Sequence, residues 1–153
     1  IEKVLDLGFV GEPKKINPHV LHVLEQSDAI PVIAPIGVGE NGETYNINAD
    51  TAAGAVAAAI GASKLIMMTD IAGVLDSEDQ LMPEITAETA RAMIADGTIH
   101  GGMIPKIENC LNAIDQGTRS ATILDGRIPH VLLLEIFTEH GVGTMIKGPD
   151  VED

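Results

Sequence analysis

Short apolar runs alternate with longer segments of helical character along most of the chain. Residues 30–36 form an almost unbroken apolar run, which is typical of a strand buried on both faces. Residues 65–69 and 120–124 have the same character, and residues 143–146 form a short last run. The pattern therefore predicts four strands.

Helical segments lie between these runs, and polar caps and glycine stops delimit them. Asn17 and Pro18 open the first helix, an alanine-rich segment forms the second, and Thr86 caps the third. The predicted helices are residues 18–26, 50–60, 87–95, 103–116 and 129–140. Strands that alternate with helices predict an α/β protein with a mainly parallel sheet covered on both faces.

Composition narrows the class of protein. The chain has 153 residues, 45% of them apolar, which suits one compact domain. Its formal net charge of −14 argues against a nucleic acid and against an anionic membrane as partners. Because there are only nine Lys and Arg, a phosphate-bearing ligand would depend on a few cations and on backbone N–H groups.

Cysteine content and the termini indicate the setting. The single cysteine, Cys110, excludes an internal disulfide and favours a reducing, cytoplasmic compartment. The longest apolar stretch, residues 52–62, is too short to cross a bilayer, and no signal-peptide pattern opens the chain. The first residues, IEKVL, resemble the interior of a longer protein, so we expect a preceding segment.

Residues 37–42, GVGENG, match the G-x-G-x-x-G pattern after a predicted strand. A dinucleotide-binding fingerprint needs a helix that begins inside the motif, whereas strand-like residues follow here. Glu40 would also repel a phosphate. We therefore interpret Asn41 and Gly42 as a hairpin turn.

Polar side chains alternate at Asn46, Asn48 and Asp50, directly before the alanine-rich helix. In an extended chain, alternate positions face the same side. A helix cap explains one such residue but not three, so the spacing favours a ligand site over capping alone.

Two further segments have the character of ligand loops. Residues 69–75, TDIAGVL, end a predicted strand at Asp70 and turn at Gly73, and ligands of open α/β sheets bind at such strand ends. Residues 100–106, HGGMIPK, place paired glycines and Lys106 at a helix start, where N–H groups and a cation can bind an anion. An ordinary strand exit and a glycine-rich loop with a solvated lysine are the alternatives.

Other chemistry is not supported. The chain contains no G-x-x-x-x-G-K-[ST] phosphate loop. His19 and His22 share a helix face, but no carboxylate or Cys stands at metal-ligand spacing, so we predict no metal site in the protein. Cys110 lies in mid-helix without a neighbouring base and is interpreted as a packing residue.

Three motifs together, YNINAD, TDIAGVL and GGMIPK, resemble the N-acetylglutamate kinases of the amino-acid kinase superfamily, and the resemblance runs from about residue 5 to residue 146. It implies a partial amino-acid kinase (carbamate kinase-like) fold, a three-layer α/β/α sandwich around a mainly parallel sheet. It further implies that residues 1–147 form the C-terminal ATP-binding domain, that residues 148–153 form an acidic tail, and that an N-terminal substrate and dimerisation domain is missing.

The resemblance also implies residue roles. Lys106 corresponds to a catalytic lysine that reaches the ATP phosphates, and Asp50 to the aspartate that orients it. Asn46, with Asn48 beside it, corresponds to the asparagine that holds acetylglutamate. The residues that correspond to the nucleotide pocket are Thr69, Asp70, Ile71, Ala72, Gly73, Val74, Leu75, Thr98, Ile99, His100, Gly102 and Met103.

The implied reaction transfers the γ-phosphate of ATP, with Mg²⁺ held mainly by the nucleotide, to N-acetyl-L-glutamate in arginine biosynthesis. The glycine-rich phosphate loop and a second lysine of the family match no segment here, so we expect this piece to bind nucleotide without turnover. The full-length protein is expected to be a homo-oligomer in the cytoplasm of a bacterium or in a plant plastid.

The resemblance extends to arginine-inhibited members, which implies effector contacts at Glu135 and Gly141. An exposed Glu135 on an ordinary helix is the alternative.

Two other functions remain open. One is a related kinase that acts on glutamate, aspartate or UMP, against which YNINAD argues. The other is a non-catalytic nucleotide- or effector-binding domain, which would not need both Asp50 and Lys106.

Overall fold

The computed structural model describes residues 8–27, 29–138 and 141–149. In this part of the chain, seven strands and five helices follow one another. Their order and bounds are β1 (Val10–Gly11), α1 (His19–Glu25), β2 (Ile36–Val38), β3 (Thr44–Ile47), α2 (Ala49–Ile60), β4 (Lys64–Thr69), β5 (Glu84–Thr86), α3 (Ala87–Ala95), α4 (Met103–Asp115), β6 (Ser120–Asp125), α5 (Val131–Phe137) and β7 (Thr144–Lys147).

The larger sheet has the strand order β4-β6-β7-β5. The pairs β4–β6 and β5–β7 are parallel, whereas β6 and β7 are antiparallel. All six residues of β6 are buried, because α4 packs against this strand on one side and α5 also contacts it. The predicted α/β class is thus confirmed, with sheets of mixed rather than purely parallel strands.

The smaller sheet, β1-β3-β2, contains the predicted hairpin. Strands β2 and β3 are antiparallel, and Gly42 occupies the turn with a φ of +89°. The Gly42 N–H donates to the Gly39 carbonyl at 3.1 Å. Since strand β3 and not a helix follows, residues 37–42 lack the geometry of a dinucleotide-binding loop.

The prediction of a buried strand at residues 30–36 is wrong. Within this run, only Ile36 belongs to a strand. The residues before it are exposed to solvent, with Ile30 90% and Val32 96% exposed. Pro31 and Pro35 lack the backbone N–H that a central strand needs. In addition, no described element covers the apolar side chains of this segment.

The helix predictions are confirmed for the most part. Helix α2 begins at Ala49 and is capped by Asn48, and α4 runs from Met103 to Asp115. Helix α5 is shorter than predicted, because it begins at Val131 after His130 (φ +59°) and ends at Phe137. Its predicted end at residue 140 and residues 150–153 of the predicted tail lie outside the described residues. No described helix has both the length and the apolar character needed to cross a bilayer.

Candidate active site

Two charged side chains from different helices meet at the centre of the candidate site. Lys106 Nζ donates to Asp50 Oδ2 at 3.2 Å, and the two side chains are 27% and 32% exposed. Asp50 lies in the first turn of α2 and Lys106 in the first turns of α4. The N-termini of both helices, with their positive dipole ends, therefore lie close to this ion pair.

Small residues bring the two helices together. A Cβ at Gly54 of α2 would stand only 3.4 Å from the Asn109 carbonyl oxygen of α4 and 3.9 Å from the Ala113 Cβ. Gly54 therefore lies at the contact between α2 and α4, where a methyl group would be in ordinary van der Waals contact with α4. The same packing fixes the distance between Asp50 and Lys106, which stand nearer the N-terminal ends of these helices.

Asn48 is the N-cap of α2. Its side-chain oxygen accepts from the N–H groups of Asp50 and Thr51 at 3.0 and 3.2 Å. Asn46 lies on β3, opposite Val10 and Ile36, and both asparagines are exposed while Ile47 between them is buried. Exposure and burial thus alternate from Asn46 to Asn48, and the cap accounts for only the oxygen of Asn48.

A cavity of about 1070 Å³ opens beside Lys106. All of the nucleotide residues expected from the resemblance line it except Thr69 and Val74. The lining residues are Asp70, Ile71, Ala72, Gly73, Leu75, Asp76, Ser77, Asp79, Asp96, Gly97, Thr98, Ile99, His100, Gly101, Gly102, Met103, Lys106 and Arg127.

The two exceptions have different surroundings. Val74 is only 1% exposed and belongs to the hydrophobic core, and its N–H donates to Thr144 Oγ1 at 2.8 Å. Thr69 is the last residue of β4, and its hydroxyl donates to Asp70 Oδ1 at 3.2 Å. Val74 therefore supports the loop from inside, and Thr69 contacts the cavity residue Asp70 without lining the cavity itself.

Sequence reasoning missed several carboxylates of the cavity. Asp76 Oδ1 accepts from the N–H groups of Glu78 and Gln80 at 2.8 and 2.9 Å, which closes the turn that carries Asp79. Asp96 Oδ1 accepts from the Thr98 N–H at 2.9 Å, and this bond lowers the pKa of Asp96. These side chains stabilise the loops of the cavity. An Asp side chain that accepts from an N–H group two residues later is typical of turns, so Asp residues in short loops were the available signal.

Asp125 and Arg127 were also missed. Asp125 ends β6 next to Thr69 at the end of β4, and its carboxylate accepts from Arg127 Nε and Nη2 at 2.8 Å each. The Arg127 hydrogen bonds lower the pKa of Asp125 to about 2. The available signal was an Asp at the carboxyl end of a buried strand, the same signal that identified Asp70.

Cys110 lies one turn after Lys106 on α4 and is fully buried. Burial, with a smaller contribution from the Asp50 carboxylate, raises the pKa of its thiol to about 12. The thiolate is therefore scarce at neutral pH, which agrees with the packing role expected from the sequence.

Glu135 and Gly141 lie next to each other, and neither residue lines the cavity. The Glu135 side chain is 6% exposed, lies 3.6 Å from Lys64 Nζ and accepts from the Val142 N–H at 3.2 Å. A Cβ at Gly141 would stand 2.7 Å from Glu135 Oε2. Glu135 is thus a nearly buried acceptor, which contradicts the alternative of an exposed residue.

Comparison with known proteins identifies relatives. The model of the amino acid kinase family matches residues 2–125. An acetylglutamate kinase of Rhodospirillum centenum is 62% identical over 95% of this chain, and one of Gluconacetobacter diazotrophicus is 63% identical over 96%. The chain spans about half the length of these curated relatives, 48% and 47%. The resemblance to acetylglutamate kinases is confirmed.

Solved structures support the fold. An N-acetylglutamate synthase from Neisseria gonorrhoeae, complexed with coenzyme A and L-arginine, matches 96% of this chain and 34% of its own with a TM-score of 0.85 and 25% identity. A carbamate kinase from Giardia lamblia bound to AMP-PNP matches 74% of this chain and 37% of its own, with a TM-score of 0.56 at 18% identity. The chain belongs to the amino acid kinase family.

Proposed function

We propose that this chain supplies the nucleotide site of an acetylglutamate kinase, which transfers the γ-phosphate of ATP to the γ-carboxylate of N-acetyl-L-glutamate. The observation that carries the proposal is the Asp50–Lys106 ion pair, at 3.2 Å, beside a cavity of about 1070 Å³. The names and identities of the curated relatives support this acceptor. The activity belongs to a protein of the relatives' length, about twice that of this chain.

The chemistry of the reaction fits these residues. A carboxylate oxygen of the acceptor attacks the γ-phosphorus, the bond from that phosphorus to the β–γ bridging oxygen breaks, and ADP leaves. The acceptor is already ionised at neutral pH, so no general base is needed. Catalysis then consists of bringing two anions together and stabilising charge on the transferred group.

Lys106 and the helix N-termini provide the positive potential. Lys106 is a compact cation at the start of α4, where a cation is unfavourable unless an anion binds nearby. Asp50 holds the ammonium group by its hydrogen bond, so that Lys106 is positioned before the nucleotide arrives. Asp50 is thus a positioning residue.

Mg²⁺ would be bound mainly by the nucleotide phosphates. Among the described residues, no three His, Cys, Asp or Glu side chains form a metal-binding group. When bound, the ion neutralises charge on the phosphates during transfer. The residues present are compatible with an ion that enters together with ATP, and Asp70 at the end of β4 lines the cavity in which it would lie.

Asn46 and Asn48 are proposed to bind the acetylglutamate. Both are exposed and lie just before Asp50 in the chain. The amide nitrogen of Asn48 is not used by the helix cap and can donate to a carboxylate or an acyl oxygen.

The remaining chain of the longer protein is proposed to pack on the apolar segment 29–38. A groove of about 340 Å³ separates part of this segment from α2, with Pro31, Ile33 and Val56 among its lining residues. Ile30 and Val32 are almost completely exposed, which a stable surface rarely tolerates in such a cluster.

We propose that residues 1–147 form the ATP-binding domain and that the other domain brings further phosphate contacts. We also propose that the protein is a cytoplasmic homo-oligomer.

An assay of the protein at the relatives' length tests the activity. We expect ADP release that depends on N-acetyl-L-glutamate, with little release on glutamate, aspartate or UMP. Phosphorylation of free glutamate but not of its acetylated form would overturn the proposed acceptor.

Calorimetric titration of the 153-residue chain with ATP tests the cavity separately, and we expect weak binding without turnover.

Regulation by L-arginine is a second proposed property. The N-acetylglutamate synthase of similar fold was solved with L-arginine, and the main chain at Gly141 lies so close to Glu135 that a Cβ there would stand 2.7 Å from Oε2. A nearly buried carboxylate suits a guanidinium. We expect arginine to inhibit the longer protein and Glu135→Gln to weaken this inhibition without a change in kcat; inhibition that Glu135→Gln leaves unchanged contradicts the effector role.

A further inference from the structure

Arg127 lines the same cavity as Lys106, although the mechanism above does not use it. We propose that Arg127, held in place by Asp125, is a second cation that binds the polyphosphate of the nucleotide. This inference rests on the proposed function, because it assigns a contact within that nucleotide site. It gives Asp125 the role of a positioning residue.

The geometry of the pair shows how the guanidinium is fixed. Arg127 Nε and Nη2 donate to the two oxygens of Asp125 at 2.8 Å each. The Arg127 backbone N–H donates to the same carboxylate at 3.0 Å. Asp125 is 12% exposed and ends a strand that is buried along its whole length, so it is a rigid anchor for both the main chain and the side chain of Arg127.

The guanidinium retains donors for a ligand. Asp125 occupies the edge formed by Nε and Nη2, while Nη1 takes part in none of these bonds. The Arg127 side chain is 68% exposed, so these remaining N–H groups are accessible from the cavity. A planar fork of N–H groups matches the oxygens of a phosphate.

The position of Arg127 is that of a ligand residue. Strands β4 and β6 are parallel neighbours, and Thr69 pairs with Asp125 at their ends. Asp70 and Arg127 therefore follow adjacent strands at one edge of the sheet, where ligands of α/β sheets bind. The hydrogen bonds and charge of Asp125 raise the pKa of Arg127, and the Asp70 carboxylate contributes a smaller part.

The cavity lining offers few cations to a polyanionic ligand. Four aspartates line it, and Lys106 and Arg127 are the Lys and Arg side chains among its described lining. Asp50 already neutralises much of the Lys106 charge. The aspartates outnumber the cations even with Arg127 present, so its loss would remove one of the two positive side chains that a triphosphate can meet in this lining.

Nucleotide binding by the protein at the relatives' length tests the inference. Arg127→Ala should weaken ATP and ADP binding by about 10- to 100-fold, the range for one charge-assisted contact. Adenosine, which has no phosphate, should bind the variant as well as it binds the unaltered protein. Calorimetric titration gives these dissociation constants, with a competition experiment for a ligand that binds too weakly to be titrated directly.

Matched variants control the experiment. Arg91 donates to both oxygens of Asp115 at 2.6 and 2.7 Å on the surface and does not line the cavity, so Arg91→Ala should leave all affinities unchanged. Arg127→Lys keeps the charge but loses the fork, and an intermediate loss for ATP is expected. If Arg127→Ala does not fold, the ratio of ATP to adenosine affinity is measured in Arg127→Lys instead. A ratio below that of the unaltered protein supports the inference, and an unchanged ratio overturns it.

The outcomes separate the inference from the proposed function. Equal weakening of ATP and adenosine would mean that Arg127 only supports the loop, and unchanged binding of both would remove it from the site; either result overturns the inference. A protein that binds ATP through Arg127 but does not phosphorylate acetylglutamate would retain the inference and overturn the function.

Discussion

Lys106 Nζ lies 3.2 Å from Asp50 Oδ2, although 56 positions separate the two residues in the chain. Neither residue is on a loop, since each belongs to the N-terminal part of a helix. The contact therefore depends on how α2 and α4 pack, and Gly54 of α2 lies at that interface, beside Asn109 and Ala113 of α4. A change in the interface between these helices should alter the geometry of the reaction site.

Removal of the Lys106 ammonium group should slow the reaction. In the protein at the relatives' length, we expect Lys106→Ala to lower kcat by about 10²- to 10³-fold, the usual loss for one donor that stabilises developing charge. Lys147→Ala is the matched control, because Lys147 also forms an ion pair, with Glu84 at 2.8 Å, and does not line the cavity. An unchanged kcat in Lys106→Ala would exclude this lysine from the mechanism.

Asp50 should act through Lys106. We expect Asp50→Asn to lower kcat less than Lys106→Ala does, because the ammonium group remains but is less well held. The double variant should lose less than the product of the two single losses, which a double-mutant cycle measures. Independent, multiplicative losses would show that Asp50 has a role of its own. Asp115→Asn, at the surface pair with Arg91, should not change kcat.

Gly73 should be essential for the loop that lines the cavity. Its φ is +148°, and a Cβ there would stand 2.5 Å from Thr144 Oγ1, which also donates to the Met82 carbonyl. Backbone strain and overpacking together predict that Gly73→Ala lowers the free energy of unfolding by about 2–4 kcal/mol.

Gly117→Ala is the matched control for Gly73→Ala. Gly117 also has a positive φ, +109°, but a Cβ there would meet no atom within 4 Å. We expect a loss of about 1–2 kcal/mol from strain alone, measured by urea denaturation. A Gly73→Ala variant as stable as Gly117→Ala would show that the loop can move away from Thr144.

Acid should weaken the fold partly through Asp125. The pKa of this group is about 2 in the folded protein, and about 3.9 is usual for an unfolded chain. The unfolded state therefore binds the proton first as the pH falls, so the stabilisation is fully present above about pH 4 and is lost towards pH 2.

Substitution of either partner should remove this contribution to stability. We expect the difference in unfolding free energy between the unaltered chain and Asp125→Asn to be largest near neutral pH and to shrink as the pH falls from 4 to 2, as denaturant titrations at several pH values would show. Arg127→Gln removes the cause of the lowered pKa and should show the same trend. A difference that stays constant over this range contradicts the linkage.

Local signals predicted the helices, the three strands β4, β6 and β7, and the hairpin of β2 and β3. Caps such as Thr86, which accepts from the Thr89 N–H at 3.0 Å, and stops such as Gly61, with φ +62°, act within a few residues. The short strand β5 was not predicted, because its three residues, Glu84–Thr86, carry one apolar side chain. The apolar run at residues 30–36 was misjudged, because a run cannot show which layers will cover it.

The candidate site was predicted unevenly. Spacing alone indicated a ligand near Asn46 to Asp50, whereas the family resemblance was needed to bring Asp50 and Lys106 together. Arg127 was missed, because its role depends on its hydrogen bonds to Asp125, two residues earlier, and on its own place in the lining of the cavity. Contacts of this kind arise from the arrangement of strands β4 and β6, which no local pattern describes.

The buried Cys110 offers a chemical probe of the reaction site. Its thiol is enclosed four residues after Lys106, within the core that α2 and α4 share. A thiol-labelling reagent can reach it only when this core opens, so the labelling rate reports how often the two helices separate. A nucleotide that bridges the helices should protect Cys110, and this protection can be followed without any turnover.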